Sequence, residues 1–510
     1  MTLRLLLGDQ LNSNHSWFDK LDDSVCYLLM EVQQETNYVT HHIQKVVAFF
    51  NAMRQFKVEL ENRGHRVHYM ELNHQENKQN IPKNLLHLIE VYKATKFEYQ
   101  FPDEYRLDQQ LSDFCNTLSI ESKAIDTEHF MTSRTFLNSF FEGKKQLVME
   151  YFYRRIRKDF NLLMEGESPL GGAWNFDKNN RNKWKGTPEI PKAYKVDTTT
   201  LEQLIDLLNE EGIQTLGTLD TNSFLYPASR KEALLQLDYF NHHLLKYFGT
   251  YQDAMHTEEV NLFHSRLSFA LNTKMIAPLE VVQSVIDYYH QHEDDIDISQ
   301  VEGFVRQIIG WREYMRGIYW REMPNYRKKN ALENQNPLPN FYWTGKTKMN
   351  CLQQSIQNSL DHAYAHHIQR LMITGNFALL AQVHPDEVDR WYLGIYADAV
   401  EWVQLPNTRG MSQWADGGIV ATKPYVSAAA YINKMSNYCE GCKYDKKKRV
   451  GEDACPFNSL YWNFLDDKKQ YFSKNNRMAM MLRLLEKIPP SELSELKERA
   501  YKIISQPDEF

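Results

Sequence analysis

Leu3-Arg-Leu-Leu-Leu7-Gly8-Asp9-Gln10 opens the chain, and its reading decides the first fold class. A short apolar run that ends in Gly-Asp is the pattern of a buried strand entering a turn. Outward from it, Val25–Met30 predicts a second buried strand. His41–Asn62 carries apolar residues at helical spacing and meets a stop at Gly64. Val67–Leu72 then predicts a strand, Ile81–Ala94 a helix, and Phe97–Phe101 a strand before Pro102. Glu104–Leu118 predicts a further helix and Ile120–Ile125 a strand. This alternation predicts an α/β domain over residues 1–130, with a parallel sheet and helices on both faces. Ligands of such sheets sit beyond the carboxyl ends of strands, so Asp9, Gln10 and the loop after Met30 are candidate contacts. No G-x-G-x-x-G follows the first strand and no G-x-x-x-x-G-K-[ST] occurs anywhere. The usual dinucleotide and triphosphate fingerprints are therefore absent.

From Met131 the pattern changes. Gln146–Met164 predicts a basic, aromatic helix, and Gly166–Thr200 an irregular stretch rich in Gly, Trp and Pro. Residues 131–200 thus read as a connector, and connections of that length are usually functional or linking. Beyond Leu201, long helical patterns dominate: Ser229–Leu245, Pro278–Gln291 and Ser299–Tyr319. With no strand run before Phe510, residues 201–510 predict a large all-α domain.

A length of 510 residues calls for two or three domains. No stretch approaches the ~20 apolar residues that span a bilayer, and the opening lacks a signal-peptide pattern, so no membrane and a cytoplasmic location are expected. The net charge of −7 excludes bulk affinity for nucleic acid, leaving a local basic face as the requirement for DNA contact. Lys144, Lys145, Arg154, Arg155, Arg157 and Lys158, interleaved with Tyr151, Phe152 and Tyr153, offer one. A solvated helix face is the competing account of that stretch.

Four of six cysteines fall in the last 160 residues. Cys439-Glu-Gly-Cys442, Cys455-Pro456 and the remote Cys351 make a C-x2-C-x12-C-P framework with a fourth thiol. Clustering in a reducing compartment points to metal rather than disulfides. Spacing alone fits tetrahedral zinc and a 4Fe–4S cluster equally. Lys443, Lys446, Lys447, Lys448 and Arg449 lie between the second and third cysteines and would offset thiolate charge. Cys26 and Cys115 read as plain buried thiols.

Four segments of the helical part are more polar than core helices require. They are His264-Ser265-Arg-Leu267-Ser268, Gln307-Ile-Ile-Gly-Trp311-Arg312, the His362…His366-His367…Arg370 run, and Asp398…Glu401-Trp402-Val-Gln404-Leu-Pro-Asn407. Ser265 and Ser268 are expected on one helical face, where hydroxyls and free N–H groups could hold phosphate. Together with Gly8-Asp9-Gln10-Leu11, Gly171-Gly172-Ala-Trp174-Asn-Phe-Asp177, Gly410-Met-Ser-Gln413 and the four cysteines, these segments resemble the photolyase–cryptochrome family. The likeness runs from end to end and is close to the iron–sulfur bacterial branch, which includes prokaryotic (6-4) photolyases.

The resemblance implies a Rossmann-like antenna domain, a connector and an all-α FAD-binding domain with the boundaries above. It implies FAD on His264, Ser265, Leu267, Ser268, Gln307, Trp311, Arg312, Asp398, Gln404 and Asn407, and a 4Fe–4S cluster on Cys351, Cys439, Cys442 and Cys455. It implies a 6,7-dimethyl-8-ribityllumazine antenna near Asp9, Gln10 and Glu35, and a relay of Trp391, Tyr392 and Trp343 that re-reduces the flavin. It places His366, His367 and Tyr425 at the lesion. The implied activity is light-driven repair of (6-4) photoproducts in UV-damaged DNA. A monomer is expected, and the −7 charge suggests that divalent cations aid its contact with DNA. A cryptochrome-like photoreceptor that repairs little, and a non-photochemical iron–sulfur DNA-binding protein, are the alternatives. Gln404 departs from the family's pattern, which has Glu there. Gln can hydrogen-bond but cannot titrate.

Overall fold

The computed structural model describes all 510 residues. Five parallel strands, β1 (Thr2–Leu5), β2 (Val25–Met30), β3 (Val67–Met70), β4 (Lys96–Gln100) and β5 (Glu121–Ile125), form one sheet in the order β3-β2-β1-β4-β5. The register pairs Thr2 with both Val25 and Lys96. β2 is buried along its whole length, as an unbroken Val-Cys-Tyr-Leu-Leu-Met run in a sheet covered on both faces should be. Helices Ile81–Val91 and Tyr105–Asn116 cover one face through Leu85, Leu88, Leu111 and Phe114. Helix Ile43–Asn62 covers the other, and its core residues Val47, Phe50 and Phe56 continue into the helical part. The helix is capped by His42, whose Nδ1 accepts from Gln44 N, and ends before Gly64 at φ +90. Cys26 is buried, whereas Cys115 is only half-buried.

After β1 the chain winds to β2 and β3, then crosses back to place β4 on the other side of β1. The switch point therefore lies between β1 and β4, and the segments that leave them carry Asp9 and Asp103-Glu104.

The connector is more ordered than expected. It holds helices Phe136–Phe140 and Met149–Asp159 and a two-stranded antiparallel pair, Met164–Glu165 with Ser168–Pro169. The predicted helix over Gln146–Met164 is shorter at both ends. Beyond Leu201 all regular elements are helical, as the pattern predicts, and Pro278–Gln291 matches its predicted limits. The predicted Ser299–Tyr319 helix is Ile298–Val305 running through a π-turn, Arg306–Arg312, into Glu313–Glu322. Two further π-turns occur, Arg370–Gly375 and Pro406–Ser412. These two pack directly on each other at Gly375, where a β-carbon would overlap Ser412 Oγ.

The sheet and the helical part are joined by buried charge. Lys274 Nζ lies 2.8 Å from Asp9 and 3.1 Å from Asp103, and Asp103 also meets Arg316 at 3.2 Å. Lys274 and Asp103 side chains are each 1% exposed. Removing one member of such a network strands a buried charge, which costs about 3 kcal/mol or more. Lys274→Met is expected to lower stability by that amount, read as a lower urea midpoint. A midpoint within error of the parent would show that Arg316 alone suffices for Asp103.

Candidate functional site

All three π-turns line one cavity of about 470 Å³ in the helical part. A π-turn inserts a residue into the helical ladder and frees backbone groups, and such turns concentrate at functional sites. Three on one cavity is a shape built for a ligand rather than for packing. The cavity falls within the size range of small-molecule and cofactor sites.

The first wall is the loop before helix Ser268–Asn272. Leu262 and Arg266 there have φ values of +44 and +58, left-handed conformations uncommon for non-glycine residues. Arg266 is held by Asn261 Oδ1 at 2.8 Å and stacks on Tyr364 with its guanidinium carbon 4.6 Å from the ring centre. Ser265 lies in this loop and Ser268 opens the helix, so the two hydroxyls do not share a helical face as expected, although both line the cavity. The left-handed turn at Arg266 ends the loop only at Leu267, which delays the helix start.

The second wall is Gln307, Trp311 and Arg312. Arg312 Nη2 donates to Leu271 O at 2.9 Å and faces His129 Nε2 at 3.0 Å, and the guanidinium lies over Trp402 at 4.8 Å. Its Nε and Nη1 are buried without a hydrogen-bond partner, Nη1 standing 3.8 Å from Glu313 Oε1. Burial pulls its pKa down to about 10, with Glu313 and Asp103 opposing. The third wall holds Asp398, paired with Arg370 at 2.9 Å, together with Gln404 and Asn407. Gln404 Nε2 donates to Thr408 Oγ1, and Asn407 Nδ2 to Val403 O at 2.8 Å.

His366 closes the cavity. Its ring stacks on His264, with centres 4.7 Å apart and planes at 18°. Nδ1 accepts from Ile368 N at 3.3 Å, so a neutral ring carries its proton on Nε2. Nε2 of both imidazoles lacks a hydrogen-bond partner. Burial, with the neighbouring His264, His367 and Arg370, holds His366 well below the usual imidazole range. His367 keeps an exposed surface at the cavity mouth, where partial desolvation and the Arg370 charge lower its pKa. Tyr425 lines the same cavity.

Buried neutral histidines make the fold acid-labile. His42 and His264 are both pulled by burial to about 4, below the free value near 6.5. Their folded forms resist protonation, so the stability they contribute is complete above pH 6.5 and lost as pH falls toward 4. Each contributes a slope of about 1.4 kcal/mol per pH unit in that window. Thermal melting is expected to drop steadily from pH 6.5 to 5, and His42→Asn to flatten the slope. An unchanged melting point across that range would contradict the assignment.

Tyr392 lines the cavity and starts a chain of rings. Trp391 lies 5.2 Å from Tyr392 and 5.1 Å from Tyr342 between ring centres, and Trp391 Nε1 donates to Tyr342 O at 2.9 Å. Trp343, the next residue, is 39% exposed. Tyr342 was not singled out from the sequence, because one Tyr in an aromatic-rich helical core carries no signal of its own.

The four C-terminal-half cysteines line a separate small pocket with Tyr438, Lys446 and Phe457. None is in a disulfide. Cys351 lies in the first turn of helix Asn350–His362, and Cys455 immediately precedes helix Pro456–Asp467. Gly441, at φ +72, turns the chain between Cys439 and Cys442. Backbone bonds from Asp445 N to Asp453 O (2.7 Å) and Cys455 N to Asp445 O (3.1 Å) close the intervening loop and return Cys455 to the pair. No three His, Cys, Asp or Glu side chains are set to share a single ion. Burial pushes the Cys455 thiol up to about 12, so only a bound cation would make it a thiolate. Of the basic loop, Lys446 reaches Asn433 at 2.6 Å and lines the thiol pocket, while Lys448 pairs with Asp453 at 2.5 Å and Arg449 with Glu492 at 3.3 Å.

A third cavity, about 150 Å³, sits at the sheet's switch point. Asp9 and Glu35 line it, with Glu104, Lys45 and apolar walls from Leu7, Met30 and Phe50. Gln10 does not. Its amide is spent on Leu7 N (3.0 Å), Gln100 O (3.2 Å) and Phe101 O (3.3 Å), bracing the ends of β1 and β4. Glu35 pairs with Arg106 at 2.8 Å, and Arg106 with Glu104 at 2.6 Å. Burial, then the Glu401 charge, raises Glu104 to about 8. Ala399 lines both this cavity and the larger one. Lys45 Nζ donates to the carbonyls of Leu393 and Ala399, each at 2.7 Å, and fixes that shared wall.

The basic stretch offered as a DNA face is only partly engaged within the chain, since Lys144, Lys145 and Lys158 stay exposed. Arg157 is fully buried and donates to Leu162 O (3.1 Å) and Trp174 O (3.3 Å). Arg154 pairs with Glu150 at 2.9 Å and Arg155 with Asp159 at 2.7 Å. The guanidiniums of Arg154 and Arg157 also lie over Trp174, so these cations pin the connector to its own helix. Arg181 and Arg266, on the rim of the large cavity, were not proposed from the sequence. A single Arg in a loop carries no periodic signal.

Over 482 residues, 94% of each chain, the sequence is 43% identical to a (6-4) photolyase of Agrobacterium fabrum. The chain belongs to the photolyase–cryptochrome family. Residues 4–224 also match the family described as deoxyribodipyrimidine photo-lyase-related protein. The fold of this photolyase–cryptochrome chain is shared with a bacterial class III photolyase from Agrobacterium tumefaciens. The TM-score there is 0.60 at 16% identity, over 99% of this chain and 98% of the other. A Synechocystis cryptochrome superposes with a TM-score of 0.54 at 12% identity, over 98% and 93%. No helix is long and apolar enough to cross a membrane.

Proposed function

We propose that the protein repairs (6-4) pyrimidine–pyrimidone lesions in UV-damaged DNA, driven by light absorbed at FAD. The observation that carries this reading is the stacked His264–His366 pair, unpartnered at Nε2, on a cavity that His367 and Tyr425 share. The 43% identity to a (6-4) photolyase supports it.

The donor set fits FAD. Arg312 Nε and Nη1 and both imidazole Nε2 atoms are buried polar groups that protein leaves unsatisfied, and a ligand with phosphates and a polar ring system would satisfy them. Ser265, Leu267 N–H and Ser268 would hold the phosphates, while Gln307, Trp311, Asp398, Gln404 and Asn407 line the ring end. Reduced FAD supplies the photoexcited electron when bound. The chain's own residues do the rest. A flipped lesion needs a pocket of this kind, and moving the hydroxyl back between the two bases needs a proton donor beside it. His367, at the mouth, has the position for that transfer, and a lesion phosphate beside it would favour its protonated form; His366 would orient the lesion edge, and Tyr425 would add a hydroxyl.

Trp391, Tyr392, Tyr342 and Trp343 make the route by which electrons from outside reach the cavity. Trp391→Phe should bind FAD normally yet slow its light-driven reduction sharply. Unchanged photoreduction would exclude Trp391 from the route.

Four thiols around one pocket, three of them in the Cys439–Cys455 segment that ends in Cys-Pro, suit a 4Fe–4S cluster. Glu104 and Glu35, both paired with Arg106, offer carboxylate acceptors to a ribityllumazine antenna between apolar walls. Arg181 and Arg266 at the rim supply the local positive face for DNA.

The decisive experiment illuminates the reduced holoprotein with oligonucleotides carrying a (6-4) lesion or a cyclobutane dimer. Repair of the first is expected. Blue-light reduction of FAD with neither lesion repaired would instead make the protein a photoreceptor.

A further inference from the structure

His366 is held by a hydrogen-bond chain that leads to the thiol pocket. Its backbone N–H donates to Gln369 Oε1 at 3.1 Å, closing a capping box at helix His367–Gln369. Gln369 Nε2 donates to Tyr438 Oη at 2.9 Å. Both side chains are buried, so neither bond can be replaced by water without reopening the core. With both ends of the amide engaged, its orientation is fixed, since a flipped amide would set N–H against N–H. The same box places Ile368 N on His366 Nδ1, which sets the ring tautomer. Tyr438 directly precedes Cys439 and lines the thiol pocket, and its carbonyl accepts from Asn350, the neighbour of Cys351, at 2.8 Å. Tyr438 is thus gripped by the two segments that bring cysteines to the pocket.

We propose that the Gln369–Tyr438 hydrogen bond is the link through which the four-cysteine pocket positions His366, fixing its backbone and its Nε2–H tautomer at the cavity. Gln369 and Tyr438 are positioning residues, and this role rests on the repair reading above. The link gives the thiol centre an influence on the lesion site that needs no electron to pass between them.

The test uses the full-length holoprotein in four variants: Tyr438→Phe, Gln369→Leu, the double variant, and Gln369→Glu. Flavin and iron per chain, Kd for a (6-4) oligonucleotide, repair turnover, and the ring nitrogen NMR signals of His366 (assigned by difference with His366→Asn) are measured. Tyr438→Phe is expected to keep flavin, iron and Kd, to lower turnover about tenfold, and to split His366 between two tautomers. The double variant should be no slower than Gln369→Leu alone, because both break one link. Gln369→Glu should retain turnover, since its carboxyl can accept from His366 N–H and bond the phenol in either protonation state. Wild-type turnover in Tyr438→Phe, multiplicative losses in the double variant, or a loss that tracks iron content would each overturn the link. If the parent repairs no lesion, the functional reading fails, and the His366 ring signals alone then decide the link: one tautomer in Tyr438→Phe refutes it, two sustain it.

Discussion

His367→Ala is expected to lower (6-4) repair by about 10² to 10⁴-fold, the usual contribution of a positioned acid or base, while flavin content and lesion affinity stay near the parent's. The expectation follows from where the ring stands. His367 lies at the mouth of the large cavity beside Arg370, one residue beyond the capped and stacked His366. Its side chain makes no hydrogen bond or ion pair within the chain, so its loss should leave the walls intact. His366 is different: it supports the helix start through Nδ1 and stacks on His264. His366→Ala should therefore weaken flavin retention as well as repair. Measuring flavin per chain beside turnover separates the two. Parent-like repair in His367→Ala would remove that residue from the chemistry.

If the thiol pocket holds the proposed cluster, Cys455→Ala should remove its iron and lower the melting point steeply. Thiolate metal centres in small domains contribute on the order of 10 kcal/mol to folding. Here the pocket ties together three separate elements: the start of helix Asn350–His362, the turn at Gly441, and the start of helix Pro456–Asp467. Helix Pro456–Asp467 holds Phe457, Leu460 and Phe464 in the core. Iron analysis and thermal melting of Cys455→Ala check this. A soluble variant with full iron would show that Cys455 is not a ligand. An iron-free variant that melts with the parent would show that the centre carries no structural load.

The sheet was legible because period and punctuation agree in it. Val25–Met30 is apolar throughout and bounded by polar turns, and Gly64 follows the long helix where its pattern stops. The cysteine pocket was legible for a similar reason, since three of its members are close in sequence. The π-turns were not. They arise where Gly310, Gly375 and Gly410 let neighbouring elements approach, and a single inserted residue leaves the apolar spacing almost unchanged. Arg157 misled because sequence shows charge but not burial: it looks like a phosphate ligand until Trp174 and the Leu162 carbonyl are seen around it. Gln10 misled in the opposite way, as a polar group at a strand end whose amide turns inward to hold the backbone. The switch-point cavity depends on Glu104, Lys45 and Ala399 meeting across some 350 residues of chain, a convergence no local pattern announces.

Ala399 belongs to both large chambers, and Lys45 holds its carbonyl in place. The partition at that point is therefore a party wall. A bulkier side chain there takes room from both tenants at once, so a change at Ala399 cannot remodel one cavity without the other.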